Sequence, residues 1–206
     1  MGTALRVGRQ LEALDIAWYE EPLSPEHVDG YRALAAALDM PVAAGEAAFT
    51  RYDFRELLVR QAVDIIQPNA CRTGGLSEVR KIAALSSAFH SPYAPHTGSC
   101  SAVALAVGLH IAAALPHFLT YEYMQSGWSK DQPNPLRHDL VKEPIEIFAD
   151  GYMAPPPKQA GARDRVGRHD PPQVRRGIGS AGPMGPALQR VYAPAPCCRQ
   201  EPWRKA

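Results

Sequence analysis

Apolar and polar positions alternate along residues 3–122 in a repeating order, in which a helical pattern is followed by a short apolar run. Leucine or valine recurs at helical spacing over residues 3–14, and the apolar residues 16–20 then predict a strand. The same pair of patterns recurs four more times. The further predicted helices are 26–38, 52–60, 76–89 and 102–115, and the further predicted strands are 41–44, 63–67, 91–94 and 118–122.

Five nearly continuous apolar strands separated by amphipathic helices are typical of parallel βα units whose sheet is covered on both faces. The fold class is therefore α/β, either an open doubly wound sheet or part of a (β/α)8 barrel. No glycine-rich GxGxxG turn and no Walker lysine follows any of these strands. The pattern therefore argues against a nucleotide-binding site.

Each predicted strand ends in polar residues, and these ends recur at intervals of about 22 to 28 residues. A single acidic residue after a strand is usually a helix cap or a solvated loop residue. Five successive strand ends with polar side chains are better explained by one shared site, as at the carboxyl-terminal face of a barrel. The residues at these ends are Glu20 with Glu21, Glu46, Asn69, His96 and Glu122.

Composition limits the class of protein to one globular domain with an appendage. The chain has 206 residues, of which 46% are hydrophobic, and it contains no run of about 18 apolar residues. Arg6, Arg9 and Glu12 stand where a signal peptide would need an apolar run, so we expect a cytoplasmic protein without membrane contact. Four irregularly spaced cysteines indicate neither a disulfide framework nor a zinc site.

Charge divides the chain near Pro155. Residues 1–154 carry 12 Lys and Arg against 18 Asp and Glu, whereas residues 155–206 carry 10 against 3 and hold ten of the twenty prolines. We therefore expect a folded domain over 1–154 and a disordered tail over 155–206. The basic charges of the tail are scattered among prolines without interleaved aromatic residues, so we expect no nucleic-acid partner.

Several motifs resemble those of one known family. The stretches are WYEEPLSPEHVDGYRALAAALDMPVAAGE, AVDIIQPNACRTGGLSEVRKIAAL, APHTGS and LTYEY. In order and spacing they are similar to the barrel domain of the enolase superfamily, in its mandelate racemase and muconate lactonizing enzyme subgroup, which includes many acid-sugar dehydratases. The resemblance spans roughly residues 3–155 and implies a partial (β/α)8 TIM barrel of about five βα units.

The resemblance also implies a chemistry. Family members hold one Mg²⁺ through three carboxylates at consecutive strand ends and remove the proton α to the carboxylate of a small substrate, here a sugar acid. Mg²⁺ is a hard ion that prefers oxygen ligands and neutralises the charge developing on the enediolate. By motif, Glu20 and Glu46 match the second and third metal ligands, and Glu21 matches a residue that supports them. Full-length family members are expected to be homo-oligomers.

The remaining site residues follow from the same resemblance. His96 matches the catalytic histidine, and Glu122 matches a glutamate that binds the substrate carboxylate. Arg72 either reaches into the site or forms a salt bridge within its loop. Asn69 replaces the aspartate that normally orients the histidine. An amide can accept a hydrogen bond from the imidazole but supplies no negative charge, so we expect His96 to be a weaker base.

Two functional hypotheses from different classes follow. The first is a Mg²⁺-dependent acid-sugar dehydratase or racemase. The second is a catalytically inactive, truncated remnant of such an enzyme. The first metal ligand would fall about six residues before Met1 by the spacing of Glu20 and Glu46, and the matched region includes neither the lysine-type base nor the cap domain of the family.

The tail carries a separate hypothesis about its gene. The family sequence normally continues with a segment resembling DGPGLGIE, and Asp150 and Gly151 begin such a segment here. Codons for residues 161–166 can be chosen so that reading one base later gives Ala-Leu-Gly-Ile-Glu. We therefore expect residues from about Gly161 onward to be a frameshifted ending, which sequencing of the gene would test.

Overall fold

The structure is a computed structural model, and it describes residues 1–124, 134–142, 145–149 and 152–153. Six helices lie in this part of the chain: α1 Gly2–Glu12, α2 Val28–Ala37, α3 Thr50–Val59, α4 Leu76–Ala88, α5 Ala102–Ala114 and α6 Pro135–His138. The strands are β1 Tyr19–Glu20, β2 Val42–Ala44, β3 Ile65–Ile66, β4 Phe148–Ala149 and β5 Tyr152–Met153. The predicted tail over 155–206 and its frameshift hypothesis lie outside the described residues.

The first three strands form a parallel sheet in chain order. Tyr19 pairs with Val42, and Ala43 pairs with Ile65. Each strand is followed by a helix that returns the chain to the start of the next strand, as expected for βα units. The α/β class with a parallel sheet, predicted from the alternation of helix and strand patterns, is thereby confirmed.

The parallel arrangement continues beyond β3 through single bridges. Tyr93 bridges Ile66 on one side and Phe118 on the other, both in parallel. The predicted strands 91–94 and 118–122 are thus in their expected places but pair at one position each. Pro92 and Pro95 flank Tyr93, and because proline has no N–H they cannot donate to a ladder.

The first predicted strand is also shorter than its apolar run. Only Tyr19 and Glu20 of residues 16–20 pair with β2. α1 ends at Glu12, and Asp15 has a φ of 53°, which turns the chain before the strand begins. The apolar pattern therefore marks residues that pack, and the backbone turn decides where pairing starts.

The helices bury one face each against the sheet. The main core consists of side chains with almost no exposed surface, among them Leu34, Val42, Phe54, Ile66 and Ile82. α5 is apolar all round, and its Leu105 and Leu109 form a second cluster with Ile145. No helix in the described ranges is both long enough and apolar enough to cross a membrane.

Glycine is required where the chain leaves β2. Gly45 has a φ of 135°, which residues with a side chain rarely adopt, and a Cβ placed there would lie 2.8 Å from Cε1 of Phe54. Phe54 is fully buried, so it has no room to move away. Gly45 therefore fixes the direction in which the chain continues to Glu46.

We expect Gly45→Ala to lower the free energy of unfolding by about 3 kcal/mol, because backbone strain and overpacking against Phe54 each cost about 1 to 3 kcal/mol. Urea denaturation followed by circular dichroism would measure this. Gly2→Ala is the matched control, because a Cβ at Gly2 meets nothing within 4 Å. Equal stability of the two variants would contradict the strained role of Gly45.

Candidate active site

The carboxyl ends of neighbouring parallel strands bring the predicted site residues to one edge of the sheet. β1 ends at Glu20, which pairs with Ala43 of β2. Glu46 follows the turn at Gly45, just beyond the end of β2. His96 follows the bridge residue Tyr93 at the same edge. Residues far apart in sequence become neighbours here because parallel strands all end on one side.

His96 contacts two of the predicted carboxylates through the same ring nitrogen. Its Nε2 atom is 2.9 Å from Oε2 of Glu46 and 3.7 Å from Oε2 of Glu122. The imidazole is 14% exposed and each of these two carboxylates is 33% exposed. The imidazole of His96 therefore connects the segments that follow β2, Tyr93 and Phe118. It is partly open to solvent.

The other ring nitrogen of His96 faces Asn69. Nδ2 of Asn69 is 3.0 Å from Nδ1 of His96, and Oδ1 of Asn69 accepts a hydrogen bond of 2.9 Å from the backbone N–H of Cys71. The sequence had led us to expect the amide oxygen to accept from the ring. In the structure that oxygen accepts its hydrogen bond from the loop after β3, so the amide NH₂ group faces the imidazole instead.

Glu20 and Glu21 lie at the end of β1 in different surroundings. Oε2 of Glu20 accepts a hydrogen bond of 3.1 Å from Nε1 of Trp18, and Oε1 of Glu21 accepts one of 3.4 Å from the backbone N–H of Gly45. Glu21 has a φ of 40°, a left-handed conformation that costs a residue with a side chain about 1 kcal/mol or more. This turn sends the two adjacent glutamates in separate directions.

Burial raises the pKa of the Glu21 carboxyl above its usual value, and the negative charges of Glu46 and Glu20 raise it further. The hydrogen bond from Gly45 opposes this shift without cancelling it. Burial also raises the pKa of the Tyr31 hydroxyl, with a contribution from the charge of Glu21. Burial is the larger cause of both pKa shifts, and the charges of neighbouring glutamates add to it.

Arg72 reaches the loop that carries Glu46. Its Nη1 donates to the backbone carbonyl of Glu46 at 3.4 Å. The guanidinium therefore links the loop after β3 to the loop after β2 through the backbone. It stabilises the segment that carries Glu46.

One charged pair near the site was missed by sequence reasoning. Arg137 is 4% exposed and donates to the carbonyls of Gly98 at 3.2 Å and Cys100 at 3.1 Å, while its Nη1 lies 2.5 Å from Oε1 of Glu146. Arg137 thereby holds the loop that follows His96. The signal in the sequence was weak, since Asn134-Pro135 predicts a helix start but not the direction of the next side chain.

Oxygen donors of the kind that Mg²⁺ prefers are present at this edge. Glu20 and Glu46 provide carboxylates from neighbouring strand ends, and their charges add to the effect of burial in raising the pKa of Glu21. Within the described ranges, no group of three or more His, Cys, Asp or Glu side chains is arranged to hold a metal ion. Mg²⁺ is usually bound through one or two carboxylates together with several waters, so the chemistry of these two side chains is compatible with the ion.

Comparison with known proteins identifies the family. A sequence model described as enolase C-terminal domain-like matches residues 1–162. The chain belongs to this family, and its structural relatives are mandelate racemase and muconate lactonizing enzyme proteins. The resemblance noted in the motifs is therefore confirmed.

Two relatives show what such proteins do. The chain is 37% identical over 155 residues to the arabinonate dehydratase of Saccharolobus solfataricus. The aligned region covers 74% of this chain and 39% of that protein. It is 36% identical over 159 residues to the D-xylonate dehydratase of Haloferax volcanii, covering 76% of this chain and 36% of that protein. The chain thus spans less than half the length of these two sugar-acid dehydratases.

Solved structures agree with the sequence relatives. A mandelate racemase/muconate lactonizing enzyme from Sulfitobacter sp. superimposes with a TM-score of 0.60 at 34% identity, covering 68% of this chain and 33% of that one. A variant of the L-talarate/galactarate dehydratase from Salmonella typhimurium LT2, liganded with Mg and L-glucarate, gives a TM-score of 0.55 at 36% identity. It covers 60% of this chain and 30% of that one.

We expect Glu21→Gln to stabilise the fold at pH 7, because the neutral amide removes a buried negative charge and can still accept from Gly45. A carboxyl whose folded pKa is raised loses stability as pH rises through that pKa. The advantage of the variant should therefore be present at pH 7 and vanish below about pH 4, where glutamate is neutral in both states.

Thermal unfolding of both proteins across this pH range would measure the effect. Asp15→Asn is the control, since Asp15 is exposed and is not one of the glutamates at the strand ends. An advantage of Glu21→Gln that persists unchanged at pH 3 would show that packing, not charge, is its cause.

Proposed function

We propose that this chain carries part of the active site of a Mg²⁺-dependent sugar-acid dehydratase, which acts by abstraction of the proton α to a carboxylate. The observation that carries the proposal is the contact of His96 with both Glu46 and Glu122 at neighbouring strand ends. The family membership and the dehydratase relatives support the substrate class. A racemase acting on similar acids would use the same first step.

The fold of the chain, in this proposal, is a segment of the family's (β/α)8 barrel. In this proposal about five consecutive βα units would lie within residues 1–154, and the strand order β1, β2, β3 with the bridges at Tyr93 and Phe118 supports this. The barrel places its site at the carboxyl-terminal ends of the strands, which is where the polar residues of this chain gather.

Glu20 and Glu46 would hold the metal ion, and Glu21 would support them through its bond to Gly45. When bound, Mg²⁺ supplies a positive charge that stabilises the negative oxygen formed as the α proton leaves. Glu46 now bonds to His96, so its carboxylate would turn from the ring toward the metal. This rearrangement would leave Nε2 of His96 facing the substrate.

The remaining residues of the chain would bind and orient the acid. Glu122 lies near the same Nε2 atom of His96 as Glu46 and would hydrogen-bond the protonated or hydroxyl oxygens of the substrate. Arg137 and Arg72 would keep the loops that carry His96 and Glu46 in place, because each donates to carbonyls of those loops.

A second candidate is a catalytically inactive remnant of such an enzyme. Two observations favour it: Glu46 is paired with His96 at 2.9 Å, and the described residues hold no cluster of three metal-binding side chains. Mg²⁺ affinity separates the two candidates, because a site for chemistry must first hold the ion.

We expect isothermal titration to detect Mg²⁺ binding with a Kd in the millimolar range or tighter, and Glu20→Gln or Glu46→Gln to weaken it at least about tenfold, since each removes one charged ligand. Glu26→Gln is the control, because Glu26 is exposed and its carboxylate accepts a hydrogen bond from Ser24. Circular dichroism would establish that each variant is folded.

With Mg²⁺ present, arabinonate and galactarate are the probes for substrate binding. Glu122→Gln should weaken the binding of both acids without changing the affinity for Mg²⁺. Absence of Mg²⁺ binding to the folded chain would favour the inactive remnant. An equal loss of Mg²⁺ affinity in Glu26→Gln would exclude Glu20 and Glu46 as the specific ligands.

A further inference from the structure

We propose that Asn69 is a positioning residue that fixes His96 as the neutral tautomer with its proton on Nε2, so that the ring presents a hydrogen-bond donor to the site. Its role in turnover rests on the proposed function, whereas the tautomer itself can be measured without metal or substrate. The inference depends on which group donates and which accepts at two contacts, Cys71 with Asn69 and Asn69 with His96.

The orientation of the Asn69 amide is decided by its loop. The backbone N–H of Cys71 is a donor and lies 2.9 Å from one end of the amide. Only the amide oxygen can accept this hydrogen bond, because the NH₂ group has donors alone. The NH₂ group must therefore be the end that lies 3.0 Å from Nδ1 of His96.

The protonation of the ring follows from this orientation. Since Nδ2 of Asn69 donates, Nδ1 of His96 must offer its lone pair. A neutral imidazole carries one N–H, which is then on Nε2. At the other side of the ring, a proton on Nε2 is compatible with the oxygens of Glu46 at 2.9 Å and Glu122 at 3.7 Å, since carboxylates accept. The contact with Asn69 assigns the tautomer without them.

A carboxylate at position 69 would produce the opposite arrangement. It would accept from Nδ1–H, and Nε2 would turn its lone pair toward the site as a base. The amide thus changes the chemistry that His96 offers without moving the ring. With Nε2–H, the ring can polarise an oxygen of the substrate by donating a hydrogen bond, as a neutral imidazole electrophile does, and no proton is transferred.

The assignment gives His96 a specific task in the proposed reaction. It would donate to an oxygen on which negative charge develops, at the substrate carboxylate or at the departing hydroxyl. Removal of the α proton would then fall to a group other than His96. This differs from the weaker base that the replacement of aspartate first suggested.

Nitrogen NMR of the folded chain tests the tautomer directly. Long-range proton–nitrogen spectra of ¹⁵N-histidine-labelled protein distinguish a nitrogen that carries a proton from one that does not. We expect, at pH 8 and in the presence of a chelator, a protonated Nε2 and an unprotonated Nδ1 for His96. His96→Gln assigns the signals by removing them, and His110, in α5, provides an internal reference.

Asn69→Asp should place a proton on Nδ1 of His96, while Cys71→Ser should leave Nδ1 unprotonated, because the contact uses the backbone of Cys71 and not its side chain. A protonated Nδ1 in the unmodified chain would overturn the proposal. So would an unchanged His96 spectrum in folded Asn69→Asp. If Asn69→Asp does not fold, the spectrum of the unmodified chain decides alone.

The result is independent of the proposed function. An Nε2–H tautomer in a chain that binds neither Mg²⁺ nor a sugar acid would support this inference and contradict the dehydratase. A protonated Nδ1 in a chain that binds both Mg²⁺ and a sugar acid would contradict this inference and support the dehydratase.

Discussion

Parallel strand pairing is the constraint on which the site depends. The register between β1 and β2 and between β2 and β3 places all three carboxyl ends at one edge, and the bridges at Tyr93 extend this edge to Phe118. Because each strand end is fixed by backbone hydrogen bonds, residues 26 and 50 positions apart in the sequence meet within contact distance. Glu46, His96 and Glu122 come together for this reason.

The concentration of carboxylates at that edge is costly for a chain without a cation. The raised pKa of Glu21 and the left-handed backbone at the same residue are both unfavourable for folding, and both lie where the proposed metal would bind. Strain and like charge often collect at functional sites and are supported by the surrounding structure. Here the support comes from Gly45, which donates to Glu21 while turning the chain toward Glu46.

Much of the fold could be predicted, because helix and strand periodicity follows from which side chains must be buried. The five predicted helices are present with boundaries shifted by a few residues, and the parallel order of the strands is as expected. The length of pairing could not be predicted from apolar runs. Prolines around Tyr93 and the turn at Asp15 limit the ladders, and their effect depends on how each segment meets its neighbour.

The residues of the candidate site could be proposed from the sequence, but their contacts could not. The sequence by itself determined that polar residues end each strand, that Asn69 stands where a carboxylate is usual, and that the chain resembles the enolase superfamily. Only the tertiary structure decided that the Cys71 N–H takes the oxygen of Asn69, that Arg72 reaches the backbone of Glu46, and that Arg137 holds the loop after His96. These are hydrogen bonds between separate loops, and their donors and acceptors find one another only when the sheet has fixed the distances between the strand ends.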